Sequence, residues 1–530
     1  MKNIIVRLSY ILSLVGVIWA CDSEDDLVED RIAENTIDVS FTPGNADFTN
    51  YIALGNSLTA GFMDGALYTE GQDNSFPNII GTQLIEAGLT ADFNQPDINA
   101  ENGFNATLNT DPTMATFGKF ILDTSIPGPT PTMPGDPITP FAGDRSTLNN
   151  FGVSGAGLAD LTNPAVGLPT ANPFYARFAT NPGVSTILSD ALATDPTFFT
   201  LWAGSADVLG YATSGGTGED PLDEYSQMEF TTDFSNVIGQ LVAEGAEGVV
   251  INIPPVTLIP FLRAVPYNPV PLDEATAGVL NTSFAGFNGA LDAIVANLGH
   301  DADDANARKI AFAAAPNNPL LIIDEALEDL SAKFDQLEGA GAISADQRAA
   351  LQPFVQARQA TGNDLIPLST QPSIGEDLNP MEPGTALRGI SVPLSDEFVL
   401  TFAESVAAVT AAATYNGVIS TIVDNTPGVE LFDIQPIFAD IAGLEEDEAI
   451  VLGLTPAAQA AADDEQGIFY EGVLLLPDFS PTGIFSTDGI HPNPRGHAIV
   501  ANELIDVINS SFGSNIPRVN STIFRTVLFQ

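Results

Sequence analysis

Short apolar runs alternate with longer segments of helical periodicity along most of this chain, and this alternation constrains its fold more than any other feature. Residues 51–54 and 198–202 are apolar runs of strand length, and each ends close to a glycine. Between 228 and 244 apolar residues recur at the spacing of a helix with one buried face, and 249–253 has the composition of a buried strand. Strands that alternate with such helices need crossover connections and are therefore parallel. The pattern predicts a three-layer α/β/α sandwich with a mostly parallel sheet.

Later segments extend this prediction and add an insertion. Residues 429–434 have the pattern of one more strand, and 496–508 that of a C-terminal helix. The region from about 260 to 400 contains helix starts but few strand-like runs, so we predict a large, mainly helical insertion within or beside the sandwich. Two helix starts carry the capping-box pattern: Ser344 with Gln347, and Thr401 with Glu404. Active sites on such sheets lie at the carboxyl ends of the strands.

Composition excludes several classes of protein. The 530 residues include 68 acidic and 16 basic side chains, a formal net charge of −52. A surface of that charge repels phosphate backbones, so we expect no nucleic-acid partner. The hydrophobic fraction of 45% is too high for a disordered chain. We expect no long apolar run after the first twenty residues, which predicts a globular, soluble body.

The N-terminus has the features of a secretory signal. Lys2 and Arg7 precede an apolar stretch, and a small residue stands directly before Cys21, the only cysteine of the chain. The segment 18–21 resembles the lipobox of a bacterial lipoprotein, which implies removal of residues 1–20 and acylation of Cys21. An uncleaved anchor with an incidental cysteine is the alternative interpretation. A single cysteine allows neither an intramolecular disulfide nor a thiolate metal cluster.

An acidic stretch follows the cysteine and predicts the domain layout. Residues 22–26 read Asp-Ser-Glu-Asp-Asp, and such a run is typical of an extended tether, here 21–45. The globular domain is predicted over 46–512, followed by a C-terminal tail over 513–530. Acids directly after a lipidated cysteine are similar to an export signal of Bacteroidetes-like lipoproteins. The resemblance implies an outer-membrane lipoprotein that is exposed at the cell surface.

Histidine is scarce, which narrows the choice of a catalytic base. The chain has only His300, His491 and His497. We expect His300 to be a solvated residue of an acidic surface loop and His497 to be a structural residue of the C-terminal helix. Asp488 precedes His491 by three residues in a turn that contains a glycine. One carboxylate oxygen can then accept from Nδ1 of the imidazole and leave Nε2 free as a base.

The nucleophile is indicated by a motif directly after the first strand. No G-x-S-x-G pentapeptide occurs in the sequence, which argues against the nucleophile elbow of an α/β-hydrolase. The segment Gly55-Asn56-Ser57-Leu58 instead resembles the first block of the SGNH, or GDSL-type, hydrolases, and Asp488-Gly-Ile-His491-Pro resembles their last block. This resemblance implies a triad of Ser57, His491 and Asp488.

Two further blocks imply the oxyanion hole. Residues 152–155 (Gly-Val-Ser-Gly) are similar to the second block, which implies that Gly155 donates a backbone N–H together with that of Ser57. The third block is normally G-x-N-D, but here it is Gly-Ser-Ala-Asp over 204–207. Ala206 therefore stands in place of the asparagine donor, which predicts reduced activity unless the Ser205 hydroxyl replaces it.

Three classes of function follow from these residues. The first is a secreted, lipid-anchored serine ester hydrolase, of esterase or lipase type, that cleaves acyl esters of lipids or acylated glycans. The second is a non-catalytic binding lipoprotein on the same scaffold, which the alanine and the insertion favour. The third is a structural surface protein, which only the acidic charge favours. The serine mechanism requires no metal and no organic cofactor.

Overall fold

The architecture is that of a computed structural model, which describes residues 40–123, 125, 128–243, 245–462 and 465–529. The predicted signal segment, Cys21 and most of the predicted tether lie outside the described residues. Within them, parallel strands form a five-stranded central sheet in the order β2-β1-β3-β4-β5. The strands are β1 (Tyr51–Gly55), β2 (Asn150–Gly152), β3 (Phe198–Trp202), β4 (Glu247–Ile251) and β5 (Val429–Phe432).

Helices cover both faces of this sheet because its inner strands are apolar on both sides. In β1, Ile52 and Leu54 belong to one hydrophobic cluster, whereas Tyr51 and Ala53 belong to another. This alternation divides one strand between two cores. The helices that pack on the sheet or follow its strands are α1 (Ser57–Ala60), α2 (Phe76–Glu86), α3 (Ala206–Thr213), α4 (Gln227–Ala243), α5 (Phe402–Asp424) and α6 (Pro494–Phe512).

The two helical layers can be assigned from these clusters. The apolar side chains of α4 and α5 share a cluster with Ile52, and those of α2 and α6 share a cluster with Tyr51. The predicted three-layer α/β/α sandwich with a parallel sheet is therefore confirmed. Strand β2 was not predicted because it has only three residues, two of which are asparagine and glycine.

The remaining elements are short and lie mostly in the loops. They include the helices Thr69–Asp73, Pro173–Ala176, Ile187–Leu192, Pro221–Glu224, Gln435–Ala442, Glu446–Val451 and Pro456–Ala461. Antiparallel two-stranded ribbons pair Ala66–Leu67 with Phe104–Asn105, Phe120–Leu122 with Pro129–Pro131, and Ile468–Tyr470 with Val473–Leu475. The ribbon at Pro129–Pro131 lies in a proline-rich segment of the sequence.

The connection from β4 to β5 contains the predicted insertion, and that segment has its own hydrophobic core. This cluster runs from Val265 to Val399 and is separate from the clusters of the sheet. Its helices are Pro260–Arg263, Glu274–Leu298, Ala302–Arg308, Ser331–Gly339 and Ala345–Leu351, with one ribbon of Leu321–Ile323 and Ala357–Gln359. Both predicted capping boxes form. The domain limits at 46, 512 and about 260–400 stay predictions.

Helix α5 is the apolar segment that the sequence analysis overlooked. By length and composition alone it could cross a membrane. In the structure it is a core helix, since Asn416 donates to the carbonyl of Ile253 and accepts from its N–H. The hydroxyl of Tyr415 also donates to the carbonyl of Pro221. Both contacts hold α5 against the loops that follow β4 and α3.

Candidate active site

Three loops that carry predicted site residues leave the same edge of the sheet. Gly55, the last residue of β1, pairs with Gly152 at the end of β2 and with Trp202 at the end of β3. Parallel strands lie about 4.8 Å apart, so the residues that follow these strands begin as neighbours. The order β2-β1-β3 also reverses direction at β1, where ligands bind in open α/β sheets.

Ser57 is the first residue of α1 and is half-buried. The side chain of Asn56 caps the helix, because its Oδ1 accepts the N–H of Leu58 at 3.0 Å. The helix lies very close to the end of β2: a Cβ atom at Gly152 would come within 2.2 Å of the backbone nitrogen of Ala60. Strand end, cap and glycine together place the serine at the edge of the sheet.

Asp488 and His491 occupy one tight turn before α6. Gly489 has a φ of +72° and donates its N–H to the carbonyl of Ser486 at 2.9 Å. Asp488 Oδ1 accepts the N–H groups of Ile490 at 2.8 Å and of His491 at 2.9 Å. These bonds fold the turn so that the carboxylate faces the imidazole three residues later.

The three side chains form a continuous hydrogen-bonded chain. Asp488 Oδ2 lies 2.9 Å from Nδ1 of His491, and Nε2 of His491 lies 2.8 Å from Oγ of Ser57. The imidazole also packs against the ring of Phe62, with centroids 5.0 Å apart. With the Nδ1 proton on the carboxylate side, Nε2 is free to accept the serine proton.

The carboxyl group of Asp488 is ionised at all but very low pH. Burial raises the pKa of Asp488, but the charge of His491 and the hydrogen bonds from its side chain and backbone outweigh burial and bring the pKa to about 2. The carboxylate can therefore stabilise an imidazolium without itself taking up a proton.

The predicted oxyanion donors lie on the neighbouring loops. Gly155 is exposed and has a φ of +78°, a conformation that glycine adopts readily. Neither its N–H nor that of Ser57 makes a hydrogen bond with another described residue. Ala206 is the first residue of α3 and supplies no side-chain donor. The Ser205 hydroxyl is buried and has no partner among the described residues.

An apolar cavity of about 60 Å³ is lined by residues adjacent in sequence to Ser57 and His491. Its lining includes Leu58, which follows Ser57 in sequence, and Ile490 and Pro492, which flank His491. Trp202 and Ser205 line it from β3 and the loop after it. Ser205 is thus a polar residue in an otherwise apolar lining, and its hydroxyl has no hydrogen-bond partner in the described part of the chain.

The other two histidines lie outside the triad. His497 is buried in α6, where burial and the charge of His491 lower its pKa to about 3, and its Nδ1 accepts the N–H of Phe76. It is therefore a neutral structural residue, as expected. The expectation of a solvated His300 is wrong. That ring is 7% exposed and lies between Asp304, 2.5 Å from Nε2, and Lys333, 2.6 Å from Nδ1.

Carboxylates could hold a metal at one place in the described chain. Oxygen atoms of Glu325, Asp396 and Glu404 lie within 4.8 Å of one another. Glu404 already serves as a helix cap, because its Oε2 accepts the N–H and the hydroxyl of Thr401. None of the three belongs to the triad.

Two groups that contact Asp488 were not predicted from the sequence. The Ser486 hydroxyl donates to Asp488 Oδ1 at 2.9 Å, and the N–H of Gly65 donates to Asp488 Oδ2 at 2.9 Å. The available signals were weak: a polar pair, Ser486-Thr487, directly before Asp488, and an Asp-Gly turn at 64–65 shortly after the serine block.

Comparison with known proteins agrees with this arrangement. The sequence profile described as "GDSL-like Lipase/Acylhydrolase" matches residues 51–504, a stretch that begins at β1 and ends within α6. No curated protein and no solved structure matches the chain. The matched stretch covers most of the sequence and includes Ser57, Asp488 and His491, so the chain belongs to the GDSL-like lipase/acylhydrolase family, the SGNH hydrolases.

Proposed function

We propose that this protein is a serine ester hydrolase in which Ser57 is the nucleophile, His491 the general base and Asp488 the residue that orients and stabilises the imidazole. Family membership supports a hydrolase that acts on esters. The observation that carries the assignment is the unbroken hydrogen-bonded chain from Asp488 through His491 to the Ser57 hydroxyl.

The reaction follows from these atoms. Ser57 Oγ attacks the acyl carbonyl while His491 Nε2 takes its proton, and Asp488 stabilises the imidazolium that forms. His491 then gives the proton to the leaving alkoxide, which departs as an alcohol. Water, deprotonated by the same nitrogen, attacks the acyl-enzyme, and the bond between the acyl carbon and Ser57 Oγ breaks as His491 returns the proton to Oγ, which releases the carboxylic acid and restores the free serine.

The negative charge on the carbonyl oxygen requires donors. The N–H groups of Ser57 and Gly155 make no competing hydrogen bonds with described residues, so both can serve. A third donor is absent at Ala206, and loss of one such donor typically lowers turnover by about 100- to 1,000-fold. We propose that the buried, unpartnered hydroxyl of Ser205 compensates for part of this loss.

The substrate class we propose is an acyl ester of a lipid or of an acylated glycan. The apolar cavity lined by Leu58, Ile490 and Pro492 supports an acyl group on the substrate, because it offers nonpolar surface at residues directly adjacent in sequence to Ser57 and His491. The net charge of −52 disfavours strongly anionic substrates.

We also propose that the enzyme is secreted and anchored by a lipid on Cys21 in the bacterial outer membrane, at the cell surface. Its support is the signal-like segment 1–20 and the position of the only cysteine directly after it.

Hydrolysis of a short-chain chromogenic ester by the purified protein tests the proposal. We expect turnover in the wild type and none above background in Ser57→Ala. His300→Ala is the matched control, because His300 also pairs with an aspartate but has no serine partner. If His300→Ala lost as much turnover as His491→Ala, the assignment of His491 as the base would be wrong. Unchanged turnover in Ser57→Ala would refute the mechanism.

The second candidate is a non-catalytic protein that binds acylated ligands at the same site. The alanine at position 206 favours this function, because alanine lacks the side-chain donor that is needed only in the transition state. If folded wild-type protein hydrolyses no ester but still binds a nonhydrolysable acyl analogue, this second function replaces the first.

A further inference from the structure

The turn that carries the catalytic acid is held from its far side by a second turn, at Asp64 and Gly65. Gly65 donates its N–H to Asp488 Oδ2 at 2.9 Å, on the same oxygen that accepts from His491. The Ser486 hydroxyl accepts the N–H of Asp64 and donates to Asp488 Oδ1, both at 2.9 Å. The backbone of residues 64–65 thus contacts both oxygens of the acid, one directly and one through a hydroxyl.

The Asp64 side chain adds a contact to the residue between Ser486 and Asp488. Its Oδ1 accepts the N–H of Thr487 at 2.9 Å and the hydroxyl of Thr487 at 2.7 Å. Asp64 is completely buried. Its φ of +55° lies in the left-handed region, which residues other than glycine seldom occupy. Burying a carboxylate in this conformation is costly unless its partners compensate.

Tyr68 and the C-terminal tail supply those partners. Asp64 Oδ2 accepts the hydroxyl of Tyr68 at 2.7 Å, and Arg525 donates to the same hydroxyl at 2.7 Å. The Arg525 guanidinium lies 3.8 Å from Asp64 Oδ2. The backbone carbonyl of Arg525 accepts the N–H of Arg495 at the start of α6. One residue of the tail therefore contacts the network around Asp64 and the helix that follows His491.

We propose that Asp64 is a positioning residue of the triad, which fixes the orientation of Asp488 by holding Thr487 and the backbone of residues 64–65. This inference rests on the proposed hydrolase function for its kinetic readout only. Among the described residues, Asp64 makes no hydrogen bond to Ser57 or His491, so its effect passes through Asp488. If the carboxylate turns away from Nδ1, the imidazole is free to rotate and its Nε2 no longer points at the Ser57 hydroxyl. Misplacement of a reacting group by about 1 Å can lower turnover about 100-fold.

The experiment compares Asp64→Ala with Asp190→Ala. Asp190 is a matched control, because it is also a buried carboxylate with a tyrosine, a backbone N–H and a second hydroxyl as donors. It accepts the hydroxyl of Tyr175, the N–H of Thr180 and the hydroxyl of Ser185. It makes no hydrogen bond to the triad. Both variants should lose thermal stability by a similar amount, so stability alone does not separate a positioning role from a structural one.

Two readouts make that separation. The first is the low-field proton resonance of His491 Nδ1–H, identified by its loss in His491→Ala and distinguished from that of His300 by His300→Ala. We expect it to shift or disappear in Asp64→Ala and to stay in Asp190→Ala. The second is ester hydrolysis, where we expect kcat to fall about 10- to 100-fold in Asp64→Ala with KM nearly unchanged, and neither to change in Asp190→Ala.

Two milder variants apply if Asp64→Ala does not fold. Asp64→Asn keeps the acceptor for Thr487 and should retain most of the resonance and of kcat. Thr487→Val removes the hydroxyl donor and should give an intermediate loss of both. An unchanged resonance and kcat in Asp64→Ala, or in Thr487→Val where the alanine variant is unfolded, would overturn the proposal. A wild type that shows the resonance but hydrolyses no ester would refute the proposed function alone, and the resonance would still decide the role of Asp64.

Discussion

The Nε2 atom of His491 lies 2.8 Å from the hydroxyl oxygen of Ser57, although 434 positions separate the two residues. Ser57 follows the first strand of the sheet, and His491 belongs to the last turn before the C-terminal helix. Each side chain has the other as a hydrogen-bond partner, which makes them a candidate functional unit.

The first prediction concerns this unit. Because Ser57, His491 and Asp488 act in one proton transfer, Ser57→Ala and His491→Ala should each lower kcat for an ester by about 10⁴-fold or more, and the double variant should lose little beyond either one. Circular dichroism and thermal melting serve as folding controls. Multiplicative losses in the double variant would show that the two residues act independently.

The second prediction concerns Ala206. Ala206→Asn adds an amide donor at the start of α3, so it should raise kcat by up to about 100-fold with little change in KM, because the donor acts on charge that exists only in the transition state. Ser205→Ala should lower kcat if its hydroxyl already donates. Steady-state kinetics of the three proteins on one ester measure both effects. If folded wild type and both variants are all inactive, the hydrolase function should be abandoned for the binding function.

The third prediction concerns the acid next to Ala206. Burial raises the pKa of Asp207 to about 7, against the hydrogen bond from the N–H of Leu158. An unfolded aspartate titrates near pH 3.9, so between about pH 4 and pH 7 the folded state holds a proton that the unfolded state has lost. The free energy of unfolding therefore falls as pH rises through this window. Asp207→Asn removes this dependence.

Thermal melting of wild type and Asp207→Asn between pH 4 and pH 8 measures that effect. The melting temperature of the variant, relative to the wild type, should increase with pH. Burial also raises the pKa of Glu404 to about 7, but that group is present in both proteins and cancels in the comparison. A difference in melting temperature that is constant over this range would contradict the prediction.

The fourth prediction concerns Cys21. Because the only cysteine follows a signal-like segment, Cys21→Ser should abolish incorporation of a radiolabelled or clickable fatty acid and release the protein from the membrane fraction. Ester hydrolysis should persist in the released protein, since residue 21 lies outside the domain predicted over 46–512. Unlabelled wild-type protein in the soluble fraction would contradict the lipoprotein interpretation.

The fold class could be predicted from local sequence patterns, and the proposed triad of Ser57, His491 and Asp488 from the resemblance of two short motifs to the family. Apolar runs at 51–54 and 198–202 predicted strands because a strand buried on both faces must be continuously apolar, and that property is local. The Asp488 to His491 spacing predicted a carboxylate–imidazole pair because three residues in a turn are enough to bring the two groups together. Such signals need no knowledge of what lies across the sheet.

Features that depend on contacts between residues far apart in sequence could not be predicted in this way. The short strand β2 forms because Asn150–Gly152 pairs with β1, and three residues carry too little pattern to reveal it. The acidic neighbours of His300 indicated exposure, yet Lys333 and Asp304 bury it. Asp64 has the sequence context of an ordinary turn residue. In the structure the hydroxyl of Thr487, 423 positions away, lies 2.7 Å from its carboxylate. Local sequence patterns indicate which residues are buried. The partners of a buried residue can lie hundreds of positions away, and they depend on how the sheet, the insertion and the tail pack together.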